Sequence, residues 1–132
     1  MFKSIFVFVL LILSLNSNAE MMGGRSVTAT ENGIKTSVMY HLVVSDNLAK
    51  SQPNFDPLTN ISMPLEKAIH KAEIAYLKEK GNKYYKITSV SLRPFHSNPD
   101  SWYYDIFIGQ TRLAVLASGK VVFEKEISRK TN

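Results

Sequence analysis

The stretch that decides the fold is SMPLEKAIHKAEIAYLKEKG, residues 62–81. Its apolar residues recur at spacings of three and four, the pattern of a helix with one buried stripe. The stripe consists of Leu65, Ala68, Ile69, Ala72, Ala75 and Tyr76. Ser62 is a candidate N-cap and Gly81 a candidate C-terminal stop, so we expect a helix over residues 63–80. Its small alanine side chains would let the helix lie close to a sheet.

The residues that follow this helix have the composition of β-strands. We predict strands over residues 84–92, 102–108, 113–117 and 121–127. In the second of these the side chains alternate, and one face would carry Trp102, Tyr104, Ile106 and Ile108. Glycines follow the second and third strands, where tight turns are expected. The pattern therefore predicts an antiparallel meander.

Two further stretches, residues 25–30 and 34–44, precede the helix and are rich in β-branched residues. They flank Asn32-Gly33, a pair that tolerates the positive φ angles of a tight hairpin turn. We expect residues 20–24 to be mobile and residues 45–61, with several Pro, Asn and Asp, to form a loop. The predicted class is α+β, with one amphipathic helix packed on an antiparallel β-meander and an N-terminal β-hairpin.

Residues 1–19 have the organisation of a secretory signal peptide. Lys3 gives a positive start, residues 5–13 are an unbroken apolar run, and Ser17 and Ala19 are small residues before a candidate cleavage point. The run is shorter than the roughly 20 apolar residues that span a bilayer, which disfavours the alternative of an uncleaved anchor. We therefore expect cleavage to leave one domain, residues 20–132, that is periplasmic or secreted and has no stable membrane anchor.

Composition excludes several classes of protein. The chain of 132 residues has 16 Lys+Arg against 11 Asp+Glu and no Cys. Without Cys there is no disulfide scaffold, no thiol nucleophile and no Cys-ligated metal. The basic residues of the helix region are interleaved with acidic ones, which indicates a solvated surface of mixed charge and no nucleic-acid partner.

The residue types that carry catalysis do not occur in catalytic patterns. His41, His70 and His96 stand at no spacing typical of a metal site, and the sequence has no Gly-x-Ser-x-Gly. The carboxylates that could pair are Asp100 with Asp105 and Glu124 with Glu126. The second pair would share the solvent face of a strand. We therefore predict no catalytic, cofactor or metal site, and a protein that is not an enzyme.

Aromatic residues crowd two neighbouring predicted strands and their connection. They are Tyr84, Tyr85, Phe95, Trp102, Tyr103, Tyr104 and Phe107. One helix covers one face of a sheet, so the remaining rings must be either exposed or covered by the N-terminal hairpin. Exposed rings would form a partner-binding surface, since Tyr and Trp are favoured anchors there. The candidate residues are Arg93, Phe95, Trp102, Tyr103, Tyr104 and Arg112. The alternative is that the rings complete the core.

Residues 64–72, PLEKAIHKA, resemble the helix that opens a PepSY domain, and residues 84–92 and 102–108 resemble its first two strands. Residues 116–122, LASGKVV, resemble the closing Gly-Lys-Val turn of that family. The resemblance covers about residues 62–127. It implies an exported, non-catalytic module linked to the modulation of proteases or to envelope partners. Residues 115–118 lack the acidic residue usual in the family, so we identify a divergent PepSY-like relative.

The order of helix and strands is also similar to the cystatin layout, and Gly23-Gly24 would suit the N-terminal segment of a cystatin. Residues 93–99, RPFHSNP, lack the Gln-x-Val-x-Gly hairpin of that family, so no inhibitory residue carries over. This layout is the weaker of the two resemblances.

Three functions follow as hypotheses. The first is an exported, PepSY-like binding module that docks or modulates an envelope or secreted protein, with a protease as one candidate partner. Its contacts would come from the sheet face or from the connection 93–101. The second is a small-ligand carrier or enzyme that uses the concavity between helix and sheet. The third is a protease inhibitor of cystatin shape.

Cleavage of the signal peptide gives the first prediction. Protein expressed with its own N-terminus in a bacterial host should begin at Glu20, as measured by intact mass and N-terminal sequencing. The change Ala19→Arg removes the small residue before the cut and should leave residues 1–19 attached. The matched control Asn18→Arg, one position earlier, should be cleaved normally. Exported wild-type protein that still starts at Met1 would contradict the assignment.

Overall fold

The computed structural model describes residues 19–81 and 86–132, which form an α+β fold of seven strands and two helices. The elements in chain order are β1 (Ala19–Glu31), β2 (Ile34–Ser45), α1 (Asp46–Lys50), α2 (Leu65–Lys80), β3 (Ile87–Pro94), β4 (Trp102–Ile108), β5 (Thr111–Leu116), β6 (Val121–Phe123) and β7 (Lys125–Thr131). The predicted combination of one long helix, a meander and an N-terminal hairpin is confirmed. The differences lie at the element ends and in how the last strand pairs.

Helix α2 ends where the sequence predicts and begins two residues later. Gly81 adopts a left-handed conformation with φ of 61°, and its N–H donates to the Leu77 carbonyl at 2.8 Å. The N-cap is Pro64 and makes no side-chain cap hydrogen bond, so the expected capping by Ser62 is wrong. The physical reason is that a proline disfavours helical backbone in the residue before it, here Met63.

The predicted meander is an antiparallel sheet in the order β3-β4-β5-β6. The predicted strand 84–92 corresponds to β3, which runs from Ile87 to Pro94; Tyr84 and Tyr85 lie outside the described residues. The predicted division of β4 into faces is confirmed. Tyr104, Ile106 and Ile108 pack on the helix side, together with the buried Ala68 and Ala72 of α2.

The N-terminal hairpin is longer than predicted. Its turn is Asn32-Gly33, with φ of 53° and 78°, as expected from the sequence. The expected mobility of residues 20–24 is wrong, because β1 begins at Ala19 and pairs with β2 over its whole length. A register shift between Met21 and Gly23 marks a bulge, and Met22 is buried there in a hydrophobic cluster. Residues 45–61 are a loop apart from the short helix α1, which Ser45 caps.

The predicted strand 121–127 is divided at Glu124 into two strands that belong to different sheets. β6 pairs with β5, whereas β7 pairs with β2 to give a second sheet in the order β1-β2-β7. Glu124 is bound to both sheets, because its N–H donates to the Arg112 carbonyl at 3.1 Å and its carboxylate pairs with Arg25 of β1. These two contacts fix the crossing point of the chain.

The molecule has three layers: helix α2, the four-stranded sheet and the three-stranded sheet. One hydrophobic cluster lies between α2 and the four-stranded sheet, and a second lies between the two sheets. β4 and β5 are therefore covered on both faces. In the part of the chain that the structure describes, no helix is long and apolar enough to span a membrane.

Two leucines of β5 test the three-layer arrangement. Leu113 faces the helix and Leu116 faces the second sheet, and both are fully buried. Truncation of either to Ala should lower the free energy of unfolding by about 2–5 kcal/mol, because each change leaves a cavity. The matched control Leu58→Ala, at a side chain that is 92% exposed, should change it by less than about 0.5 kcal/mol.

Urea denaturation of the three variants measures these differences. A cost for Leu116→Ala as small as that for Leu58→Ala would mean that the second sheet does not cover β5.

Candidate functional site

The aromatic surface expected from the sequence is not exposed. Of the six candidate residues, Phe95, Tyr103, Tyr104 and Arg112 are buried, Trp102 is half-buried and Arg93 is exposed. The N-terminal hairpin, as part of the three-stranded sheet, covers the face that the helix leaves open. The alternative reading, in which the rings complete the core, is the correct one for the buried members.

The two tyrosines of β4 point to opposite faces of the sheet. On each face the ring packs against a phenylalanine and the hydroxyl makes a hydrogen bond. Tyr104 packs edge-on against Phe55 at 5.5 Å, and its hydroxyl donates to the Met63 carbonyl at 2.7 Å. Tyr103 packs against Phe95 at 4.8 Å, and its hydroxyl donates to the Met22 carbonyl at 3.3 Å. Burial raises the pKa of Tyr103 to about 12, so this phenol stays neutral.

A buried carboxylate on the inter-sheet face of β4 binds two arginines. Asp105 accepts two hydrogen bonds from Arg112, at 2.9 and 2.8 Å, and one from Arg93 at 3.1 Å. The hydrogen bond to Asp105 raises the pKa of Arg112 despite the opposing effect of burial. The side chain of Arg93 remains 55% exposed, so Arg93 is the member of this group that contacts solvent.

A second ion pair ties β1 to the point where the chain changes sheet. Arg25 bonds the Glu124 carboxylate through Nε at 3.0 Å, and its guanidinium lies 5.0 Å from the ring centre of Tyr40 and 5.4 Å from that of Phe107. Gly23 of β1 lies directly against the Arg112 guanidinium, where a Cβ atom would overlap the buried cation. The Arg25–Glu124 pair joins the two sheets, whereas Asp105, Arg112 and Arg93 all belong to the four-stranded sheet.

The buried polar side chains all have hydrogen-bond partners in the described part of the chain. Within residues 19–81 and 86–132, no buried side-chain nitrogen or oxygen lacks a hydrogen-bond partner, and no group of three or more His, Asp or Glu could hold a metal ion. Asp105 and Glu124 are each paired with an arginine, so neither is an unpaired buried acid of the kind that general acid–base catalysis uses.

The connection between β3 and β4, an expected contact region, is tied to the body of the protein. Glu20 accepts hydrogen bonds from the N–H groups of His96 and Ser97 and from the Ser97 hydroxyl, the last at 2.9 Å. Asn98 donates to the Ala49 carbonyl at 3.0 Å, and Phe95 is buried. The aromatic anchor of this connection therefore faces inward and is not available to a partner.

An apolar groove that is open to solvent lies beside β3. Helix α2 packs over β4, β5 and β6, and β3 extends beyond it at the edge of the sheet. The groove encloses about 340 Å³ and is lined by Phe55, Pro57, Ile61, Leu65, Val90, Ser91, Leu92 and Tyr104. Ile61 is 59% exposed and Leu65 48%, so large apolar side chains line the groove and meet solvent.

The space directly under the helix is filled. Tyr76 and Ile106 are buried there and Ile87 packs against them, which leaves no room for the ligand site expected between helix and sheet. The opening that remains is the groove at the edge, whose floor is formed by Phe55 and Tyr104.

Of the residues that line this groove, Tyr104 was among the sequence-based candidates and the others were not. Val90 and Leu92 alternate with Ser89 and Ser91 in the first strand of the meander. The order of a meander places its first strand at an edge unless another element pairs with it, and the hairpin pairs with β7 instead. That positional argument, rather than the aromatic content, was the available signal.

No protein-family model, curated protein or solved structure matches this chain. The resemblances to PepSY domains and to cystatins therefore stay predictions, and the site is interpreted from its own residues.

The buried ion pair gives a prediction about stability. Asp105→Asn removes the charge that Arg112 faces and should lower the free energy of unfolding by about 3 kcal/mol, because a buried cation is left without its counter-ion. The matched control Glu126→Gln disrupts the exposed pair with Arg129 and should leave the denaturation midpoint unchanged. Equal midpoints for the two variants would show that the buried charge of Asp105 does not contribute to stability.

Proposed function

We propose that this chain is an exported, non-catalytic binding module that docks an envelope or secreted protein through the groove beside β3. The observation that carries the proposal is an apolar groove open to solvent, lined by the exposed side chains of Ile61, Leu65, Val90 and Leu92. Contiguous exposed apolar surface on a soluble domain is typical of interaction sites.

Three of the six sequence-based candidates remain compatible with this site. Tyr104 forms part of the groove floor, and Trp102 pairs with Pro94 at the end of β3. Arg93 lies on β3 with its side chain half-exposed. These residues support a partner that contacts the edge of the sheet, in place of the sheet face first expected.

A small-ligand site is supported less well by the same groove. Its volume of about 340 Å³ is within the usual range, but ligand sites also present a few polar groups that fix orientation. Here the hydroxyl of Tyr104 is already bonded to the Met63 carbonyl, and Ser91 alternates with Val90 and Leu92, so its hydroxyl points to the other face of the sheet. An apolar surface with so few orienting groups favours a protein partner.

Peptide selection tests the proposal without knowledge of the natural partner. A random peptide library selected on the purified protein should yield sequences that bind the wild type and bind Ile61→Glu at least tenfold more weakly, because a charge is placed in the groove. The matched control Ile34→Glu alters a similarly exposed isoleucine at the hairpin turn and should bind normally.

Fluorescence anisotropy gives the dissociation constants, and thermal denaturation verifies that both variants fold. A selection that enriches no sequence, or enriches sequences that Ile61→Glu binds as well as the wild type, would remove the groove as the docking site.

A further inference from the structure

We infer that the groove takes its partner as an added β-strand on β3, and that the partner segment is extended, with apolar residues alternating with acidic ones. This inference rests on the proposed function and specifies the chemistry of its partner.

The first argument is the free edge of β3. β3 is the terminal strand of its sheet and pairs with β4 alone, and no described residue pairs with its outer side. An exposed edge presents a row of backbone N–H and C=O groups to which another extended chain can bond. The four residues Ser89-Val90-Ser91-Leu92 carry no charge and no proline that would block such pairing.

The edge strand β7 of the other sheet shows the contrast. Its sequence is KEISRKT, residues 125–131, in which four of seven residues are charged. Charged side chains on an edge strand are a common means of preventing unwanted pairing. The protein therefore has a protected edge at β7 and an unprotected central stretch at β3, next to the apolar groove.

The second argument is the direction of the side chains on β3. Val90 is opposite Ile106 and Leu92 is opposite Tyr104, so both side chains lie on the helix side of the sheet, where the groove is. An added strand would lie about 4.8 Å beyond β3 and would point every second side chain to the same side. Those alternate positions would fill the groove against Ile61 and Leu65, and should be apolar.

The third argument concerns the intervening positions, which would point to the opposite face. On that face Arg93 donates to the carboxylate of Asp105, which also accepts two hydrogen bonds from the buried Arg112. Arg93 is the exposed member of this group. Acidic side chains on the partner strand would lie beside it. Asp56 and Glu66 are the chain neighbours of the lining residues Pro57 and Leu65, and neither lines the groove itself.

Net charge disfavours a second copy of this chain as the occupant. The chain carries a formal charge of +5, so two copies repel each other, whereas an acidic segment is attracted. Self-association through β3 remains a separate outcome of the test below.

The probe is a labelled, capped ten-residue peptide in which Val and Glu alternate. It should bind the wild-type protein at least tenfold more tightly than a peptide of the same composition in which the Val residues form one block. A Val–Lys alternating peptide should also bind at least tenfold more weakly, because it repels Arg93.

Backbone methylation of the peptide tests strand addition directly. In an extended strand, alternate N–H groups point to opposite edges, so all Val amides face one side and all Glu amides face the other. Methylation of one set should weaken binding at least tenfold, while methylation of the other set should change it less than twofold. Equal effects of the two sets would overturn strand addition, because a peptide held by its side chains alone has no preferred edge.

Two variants of the protein test the charge argument. Arg93→Gln should weaken binding of the Val–Glu peptide several-fold and reduce its dependence on salt. The matched control Arg129→Gln alters an arginine with the same 55% side-chain exposure, which is paired with an acid on the other sheet, and should leave binding unchanged. An equal loss in both variants would mean that the attraction comes from net charge and not from Arg93.

The outcomes separate this inference from the proposed function. Library-selected peptides that depend on Ile61, combined with no preference for alternation or for one set of amides, would overturn strand addition and leave a groove that binds proteins in another way. If no selected peptide depends on the groove residues, both the proposed docking function and the strand-addition inference would be overturned. A dimer in sedimentation velocity that Leu92→Glu dissociates, with no binding of the Val–Glu peptide, would identify a second copy as the occupant and overturn the inference.

Discussion

The burial of β4 and β5 on both faces is the constraint on which the rest of the structure depends. Tyr104, Ile106 and Leu113 meet the helix, while Tyr103 and Leu116 meet the second sheet. A strand that is buried on both sides needs two layers of cover, which a single 16-residue helix cannot supply. The N-terminal hairpin provides the second layer, and the division of the last strand at Glu124 attaches that layer to the first.

The second layer is attached to the first by a charged contact. Arg25 of β1 pairs with Glu124, the residue at which the chain changes sheet, while Asp105 with Arg112 joins neighbouring strands of the four-stranded sheet. Buried pairs contribute little net stability compared with apolar packing, but removal of one partner is costly. The Arg25–Glu124 pair helps to fix where the sheets meet. The absence of a Cβ at Gly23 has the same consequence, since it lets β1 approach the Arg112 guanidinium.

The same architecture leaves the β3 edge of the four-stranded sheet unprotected. The helix lies over β4, β5 and β6 because its alanines allow close contact there, and β3 is left beyond it with Val90 and Leu92 partly exposed. The opposite wall is supplied by Ile61 of the loop that leads into the helix and by Leu65, the first residue of the helix. An apolar groove and a free strand edge thus occur together, as a direct result of a helix that covers three strands of four.

The sequence by itself determined the secondary structure and the faces of the elements. The period of three and four in residues 62–81, the alternation in β4 and the turn at Asn32-Gly33 are local patterns, and local backbone preferences decide them. It did not determine which layer covers which face. The burial of Tyr103 and Arg112, the crossing at Glu124 and the exposure of β3 depend on contacts between residues far apart in the chain, such as Arg25 with Glu124. Only the tertiary structure decides such contacts, because one amphipathic strand can pack equally well against a helix or against another sheet.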